Sequence, residues 1–234
     1  VALDINSSYP YVMYKEKIPM FLIDYNDYKD YTYIELTEKR DIHNTDYFSL
    51  YAVPVDYMNQ VLLKVKSRLI KKMIVKYFNL EKDLVYINSK TIALLNLFLD
   101  EPINNILVKS YNTFKCYEFG NKDLIAENYF IKEQGKAKNE LVMNSPFDFV
   151  ETDKPNKNKL TKAEIDNAKV LNNGLYGIPA LRSHFNLFRL NSVKELENIE
   201  NGFENSPRNL LFSTFVTSQA FYNLVSPLSN FEAS

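Results

Sequence analysis

Asp4-Ile5-Asn6-Ser7-Ser8-Tyr9-Pro10, preceded by Val1-Ala2-Leu3, sets a carboxylate, hydroxyls, a phenol ring and a proline directly after an apolar start. Val1 to Asn6 alternates apolar and polar residues as a half-buried strand does. Ser7-Ser8-Tyr9-Pro10 then turns the chain into a short helix ending near Lys17. Asp4 therefore stands at a strand end, where a lone carboxylate more often caps a helix or pairs with a cation than binds a metal. Tyr9 changes that weighting, because strand, Asp, turn, Tyr and Pro set a ring over the space beside the carboxylate.

A second stretch, Thr161 to Gly177, is equally readable. Thr161 and Glu164 have the spacing of a capping box, in which each side chain satisfies the other residue's exposed backbone donor at a helix start. Lys162, Lys169, Asn173 and Tyr176 follow at steps of 7, 4 and 3 residues, which puts them on one stripe of an α-helix. Ile165, Ala168, Leu171 and Leu175 supply apolar groups to the remaining surface, and Gly177 ends the helix. Such a stripe suits either an ordinary solvated face or a ligand carrying phosphates, a ribose and a flat base. Lysine can neutralise phosphate, the amide can hydrogen-bond and tyrosine can stack.

Between these two stretches the pattern predicts a mixed chain. Asp24 to Asp46 is polar, tyrosine-rich and poorly periodic, so it reads as irregular or edge structure, with Asp24, Asp27 and Asp30 on a solvated loop. Tyr47 to Val55 and Leu84 to Ile87 read as strands. Lys66 to Phe78 reads as a basic amphipathic helix with Leu69, Ile70, Met73, Ile74, Tyr77 and Phe78 on its apolar face, although its β-branched content also allows a strand. Ser89 is expected to cap a helix through Leu99, Ile103 to Phe119 to form a hairpin turning at Asn112, and Lys122 to Val142 to be helical. Arg182 to Val193 suggests a hairpin arm, and Pro207 to Leu228 a long final helix.

Composition bounds the possibilities. The 234 residues suit one large or two small domains, and 46% hydrophobic with 24% charged residues is the balance of a folded globular chain. A net charge of -1 does not mark a nucleic-acid binder by itself, but the distribution is uneven. Lysines concentrate from Lys64 to Lys76 and from Lys154 to Lys169, while acids crowd Asp24 to Asp56 and Glu195 to Glu204. This pattern gives either a basic channel wall or simply solvated faces. Cys116 is alone, which excludes an intramolecular disulfide and a cysteine-built metal site and fits a reducing, cytoplasmic compartment. The longest apolar run, Ile92 to Leu99, is broken by Asn96 and is well short of the ~20 residues that span a bilayer, so no membrane partner is expected. The first residue is Val1 rather than Met, which reads as an excised or processed segment.

At this point the residues resemble a family. Asp4-Ile5-Asn6-Ser7-Ser8-Tyr9-Pro10 is similar to the first palm motif of family B DNA polymerases, D-x-x-S-L-Y-P, and is nearest to the D-x-N-S-L-Y-P of the protein-primed branch of small tailed phages and linear plasmids. Lys169 to Gly177 resembles their fingers motif, K-x-x-x-N-S-x-Y-G. The two motifs occur in the family's order and with its wide spacing. Thr217-Ser218-Gln219-Ala220 resembles T-x-x-G/A-R, which contacts primer-template DNA, although Phe221 stands where arginine is usual. Ser8 and Gly174 also depart from the pattern, replacing leucine and serine. The family's Y-x-D-T-D-S motif is not among these residues.

The resemblance implies an α/β (α+β) fold: a partial polymerase palm with an antiparallel sheet, helical fingers and inserted elements like the terminal-protein regions. Its divisions would be 1–60 for the palm part, 61–120 for the first insertion, 121–180 for the fingers, 181–206 for a second, hairpin insertion and 207–234 for a palm helix. It also implies DNA-directed DNA polymerase activity in viral DNA replication, within host cytoplasm for a phage. Two Mg²⁺ ions would serve it, with primer-template DNA, dNTPs and a priming terminal protein as partners. Asp4 and the Ile5 carbonyl would hold metal, and Asp4 and Lys169 would be catalytic. Ile5, Ser7, Tyr9, Asn173, Tyr176 and Lys157 would surround the nucleotide, while Gly177 and Thr217 would meet DNA. A single carboxylate cannot anchor two divalent ions as two or three can, so the 234 residues alone are expected not to polymerise. The alternatives are a non-catalytic palm and fingers module that binds DNA or a terminal protein, and one piece of a split polymerase.

Overall fold

The computed structural model describes residues 8–36, 44–77, 83–136, 160–177, 184–190, 196–203 and 210–232. The expected strand Val1 to Asn6 lies outside them. The chain forms two compact units, one from Val1–Lys122 with Phe215–Ser234 and the other from Asp123–Thr214.

The first unit is built on a four-stranded antiparallel sheet ordered β1-β4-β2-β3, with β1 Ile18–Glu35, β2 Tyr47–Pro54, β3 Leu84–Asn88 and β4 Asn105–Tyr117. This agrees with the expected α/β class and antiparallel sheet. Four helices go with these strands: α1 Ser8–Lys15, α2 Val55–Lys64, α3 Arg68–Tyr77 and α4 Ser89–Asn96. A hydrophobic cluster joins Ile34, Tyr51, Val53, Ile87, Ile106 and Val108 of the strands to Met58, Leu62, Ile70, Ile74, Ile92 and Leu95 of α2, α3 and α4. α2 is not apparent from the strand pattern that precedes it. Its buried Val55, Met58, Val61 and Leu62 nevertheless have helical spacing.

β4 corrects the expectation of a hairpin turning at Asn112. It is one continuous strand in which Asn112 pairs with Tyr25 on one side and Leu50 on the other. The sequence misleads because the alternation slips. Ile106 and Val108 are buried in one phase, Tyr111 and Thr113 in the other, and Cys116 is out of step again. The first slip sits opposite the register shift between Asp27 and Thr32 of β1, the second opposite the shift between Leu22 and Asp24.

β1 is an edge strand, so the tyrosine-rich acidic segment forms regular structure and Asp24, Asp27 and Asp30 lie on a strand rather than on a loop. Tyr, Thr and Ile favour a pleated, half-exposed surface, and Pro19 near the strand start is tolerated at an edge. Met20, Phe21, Leu22 and Ile23 are all exposed. The three register shifts and the aspartates are devices that blunt such an edge against further pairing.

Burial pushes the Cys116 thiol up to about 12, with neighbouring Lys90 opposing the shift. Because the native pKa lies above the unfolded value of ~8.5, this group's contribution is intact at neutral pH and is lost as pH rises from about 8.5 toward 12. Cys116 is expected to resist a thiol-exchange reagent at pH 8 in the native chain and to react within minutes in denaturant. Rapid native labelling would contradict its burial.

The second unit contains α5 Lys122–Lys136, of which Lys122 belongs to the first unit, and α6 Lys162–Gly177. It also holds an antiparallel hairpin of β5 His184–Leu190 with β6 Leu196–Phe203, as the sequence suggests. α7, Leu210–Val225, is followed by a 3₁₀ turn at Ser226–Leu228 and by α8, Ser229–Glu232.

Candidate nucleotide site

α6 begins as its sequence dictates. The Thr161 amide donates to the Glu164 carboxylate at 2.6 Å, and the Glu164 amide donates to the Thr161 hydroxyl at 3.3 Å. The Thr161 amide foremost, and then the Thr161 hydroxyl, which donates to the same carboxylate at 2.8 Å, hold the Glu164 carboxyl below its usual range. Downstream of this cap, Lys162, Lys169 and Asn173 are exposed, while Ala168 and Asn172 are buried. Three residues of the expected stripe, Lys162, Lys169 and Asn173, thus face solvent. The anchoring face differs from expectation: Leu171 is exposed and Val170 is 68% exposed, while a polar residue, Asn172, is almost fully buried. Asn172 Nδ2 donates to the Ile125 carbonyl of α5 at 3.3 Å, which ties the two helices together. Two asparagines in succession carry opposite roles here, and only the phase of the helix distinguishes them. Tyr176 and Gly177 form the last turn of α6.

In the first unit, Tyr9 lies half-buried on α1, whose Pro10, Val12 and Met13 are buried. Thr217 lies half-buried on α7 between buried Val216 and Ser218. Two side-chain contacts help to hold α7 against the strands. Phe48 of β2 meets Phe215 edge-on with ring centroids 5.2 Å apart. Asn88 Nδ2 donates to Ser218 Oγ at 2.8 Å. The Asn88 side-chain oxygen meanwhile accepts from the Thr91 amide at 3.0 Å and so caps α4. This corrects the assignment of Ser89 as the cap; Ser89 is instead buried, with its hydroxyl accepting from the Ser49 amide at 3.4 Å. Ser49 and Thr113 share a hydroxyl hydrogen bond of 3.0 Å between β2 and β4. Lys90 is buried beside this seam, and burial lowers its pKa against the pull of Glu16. Ser218 occupies a variable position of the stretch that begins at Thr217, and for Asn88, Ser89 and Lys90 the signal in the sequence is a polar run interrupting an apolar stretch.

Asp4, Ile5, Ser7 and Lys157 lie outside the described residues. Among the described residues, no three His, Cys, Asp or Glu side chains form a group that could hold a metal ion. No helix among them is long and apolar enough to cross a membrane.

No protein-family model matches the chain, and no curated protein matches it. Among solved structures the chain is similar to phi29 DNA polymerase complexed with primer-template DNA and incoming nucleotide substrates. The identity is 16% and the TM-score 0.47, over 97% of this chain and 35% of that one. It is likewise similar to phi29 DNA polymerase complexed with single-stranded DNA, at 17% identity and a TM-score of 0.49 over 97% of this chain and 34% of that one. The chain spans about a third of the length of these structures.

Proposed function

We propose that these residues form the palm and fingers part of a DNA-directed DNA polymerase of the protein-primed type, adding dNTPs to a primer under template direction. The observation that carries this reading is the face of α6, a reciprocally capped helix that exposes Lys169 and Asn173 one turn apart while the neighbouring flank, with Ala168 and Asn172, is buried and tied to α5. In this reading Lys169 neutralises triphosphate charge and donates a proton to departing pyrophosphate. Asn173 hydrogen-bonds the nucleotide, Tyr176 stacks on its base, and Lys157 adds a further phosphate contact. Tyr9 lies over the sugar and excludes a ribose 2′-hydroxyl, with Ser7 beside it. Gly177 and Thr217 meet the DNA.

Asp4 and the Ile5 carbonyl are hard oxygen donors, and the chemistry of that donor set fits Mg²⁺. When bound, two such ions stabilise the in-line displacement at phosphorus. Segments 61–120 and 181–206 are proposed as the counterparts of the two terminal-protein regions, the first engaging a priming protein.

Titration of the 234-residue chain with a fluorescent dNTP in Mg²⁺ tests the reading. Lys169→Ala is expected to weaken binding about tenfold, the loss of one charge-assisted phosphate contact. Lys169→Arg should keep the affinity within about threefold, since the positive charge is retained. An affinity untouched by Lys169→Ala overturns the assignment.

A further inference from the structure

We propose that the outer face of α3 is a phosphate-backbone contact for double-stranded DNA, distinct from the candidate nucleotide site on α6. Charge marks this stretch of chain first. Between Asp56 and Glu81 the sequence has Lys64, Lys66, Arg68, Lys71, Lys72 and Lys76 and no carboxylate, in a chain whose net charge is -1. A random scatter of solvating charges would mix the signs.

Folding then sorts these six cations. Ile70 and Ile74 are each 1% exposed and fix which side of α3 faces the core. At about 100° per residue, Arg68, Lys72 and Lys76 fall within an arc of about 80° centred opposite those two isoleucines. All three are exposed, and no described residue pairs with them. Lys64, at the end of α2, is exposed as well, whereas Lys66 is paired with Asp100 and Lys71 Nζ donates to the Leu63 carbonyl at 3.0 Å. On α3 itself the stripe is therefore what remains after local partners are satisfied.

Like charges at i and i+4 destabilise a helix. Arg68, Lys72 and Lys76 make two such pairs in succession without an acid to relieve them, so the arrangement weakens the element that carries it. An external polyanion removes that repulsion. The rise from Arg68 to Lys76 is about 12 Å, and each i to i+4 step of about 6 Å spans close to two phosphates of a duplex strand, which recur every ~3.4 Å along the axis.

An anionic membrane offers phosphates too, but the placement of the apolar residues argues against it. Leu69 and Val75, about half exposed, border the cationic arc about 20° beyond its two edges and leave its centre to the charges. A helix lying in a bilayer needs its apolar face directed outward. The contact requires no nucleotide chemistry, so it stands or falls separately from the reading of α6.

The test measures binding of the full 234-residue chain to a fluorescent 30-base-pair duplex of arbitrary sequence, from about 50 to 300 mM salt. The triple variant Arg68→Gln, Lys72→Gln, Lys76→Gln is expected to reduce the slope of log K against log salt by about 2 to 3 and to weaken binding at least tenfold at about 100 mM. A charge-matched control, Lys29→Gln, Lys109→Gln, Lys115→Gln, should leave the slope unchanged. Circular dichroism and thermal midpoint verify folding of both variants. If the triple variant folds and keeps the wild-type slope, or if the control loses as much, the proposal fails. It fails equally if the triple variant abolishes sedimentation with phosphatidylserine vesicles while duplex binding persists.

Discussion

Phe48→Ala is expected to destabilise the first compact unit by about 3–5 kcal/mol, the range for truncating a fully buried aromatic. Phe48 is 0% exposed and packs edge-on against Phe215, itself 3% exposed. Truncation removes the transferred apolar surface, leaves a cavity, and discards the ring pairing, which adds about 0.5–1.5 kcal/mol beyond area. Phe48 joins β2 to α7, so the loss falls on the junction that sets where Thr217 lies. Urea unfolding of Phe48→Ala beside Phe48→Leu provides the measurement. The leucine variant should recover more than half of the loss, because it refills most of the volume. A cost below about 1 kcal/mol for Phe48→Ala would show that the junction is not packed as described.

The second large effect is expected at Asn88. Asn88→Ala removes both functions of the side chain at once: the cap of α4, where its oxygen accepts from the Thr91 amide and hydroxyl, and the donor to Ser218. Loss of an Asn cap costs about 0.5–2 kcal/mol. A hydroxyl left unpaired in a buried position costs about 1–3 more. Ser218 is 8% exposed and Asn88 6%, so water does not readily replace the amide. The expected total is about 2–4 kcal/mol by thermal or chemical unfolding. A double-mutant cycle with Ser218→Ala separates the two parts. The coupling should be about 1 kcal/mol, and strict additivity would contradict the hydrogen bond.

Much of this architecture is legible because local chemistry and tertiary context agree. Thr161 and Glu164 form the reciprocal cap that their spacing predicts, and β2, β3 and α3 follow the periodicity of their apolar residues. Where the two disagree, the sequence misleads in a specific way. β4 loses its alternation because bulged pairing with β1 changes which residues face inward, and a change of phase looks like a turn. Ser89 seems the better cap because the strand before it is apolar, yet Asn88 at the end of β3 has the reach to serve α4 and Ser218 together. On α6, the motif correctly marks Lys169 and Asn173 as outward-facing. It gives no hint that Asn172 carries the link to α5, since a buried amide is recognisable only once its carbonyl partner is known. The basic run from Lys64 to Lys76 is plain in the sequence, but its division into satisfied and unsatisfied cations needs the positions of Asp100 and the Leu63 carbonyl.

The central position of β4 has a consequence for synthesis. Ile18 pairs with Tyr117, and Tyr47 pairs with Lys115, so neither β1 nor β2 has its β4 neighbour until the chain has grown past residue 117. At about 5–20 residues per second, β1 waits several seconds with both edges open, and Met20-Phe21-Leu22-Ile23 is the most apolar part of what it displays. Closure over so long a loop makes the sheet a late and slow event. The aspartates of β1 therefore matter most on the ribosome, where their charge would keep the nascent chain from pairing with its neighbours before its own partner strand emerges.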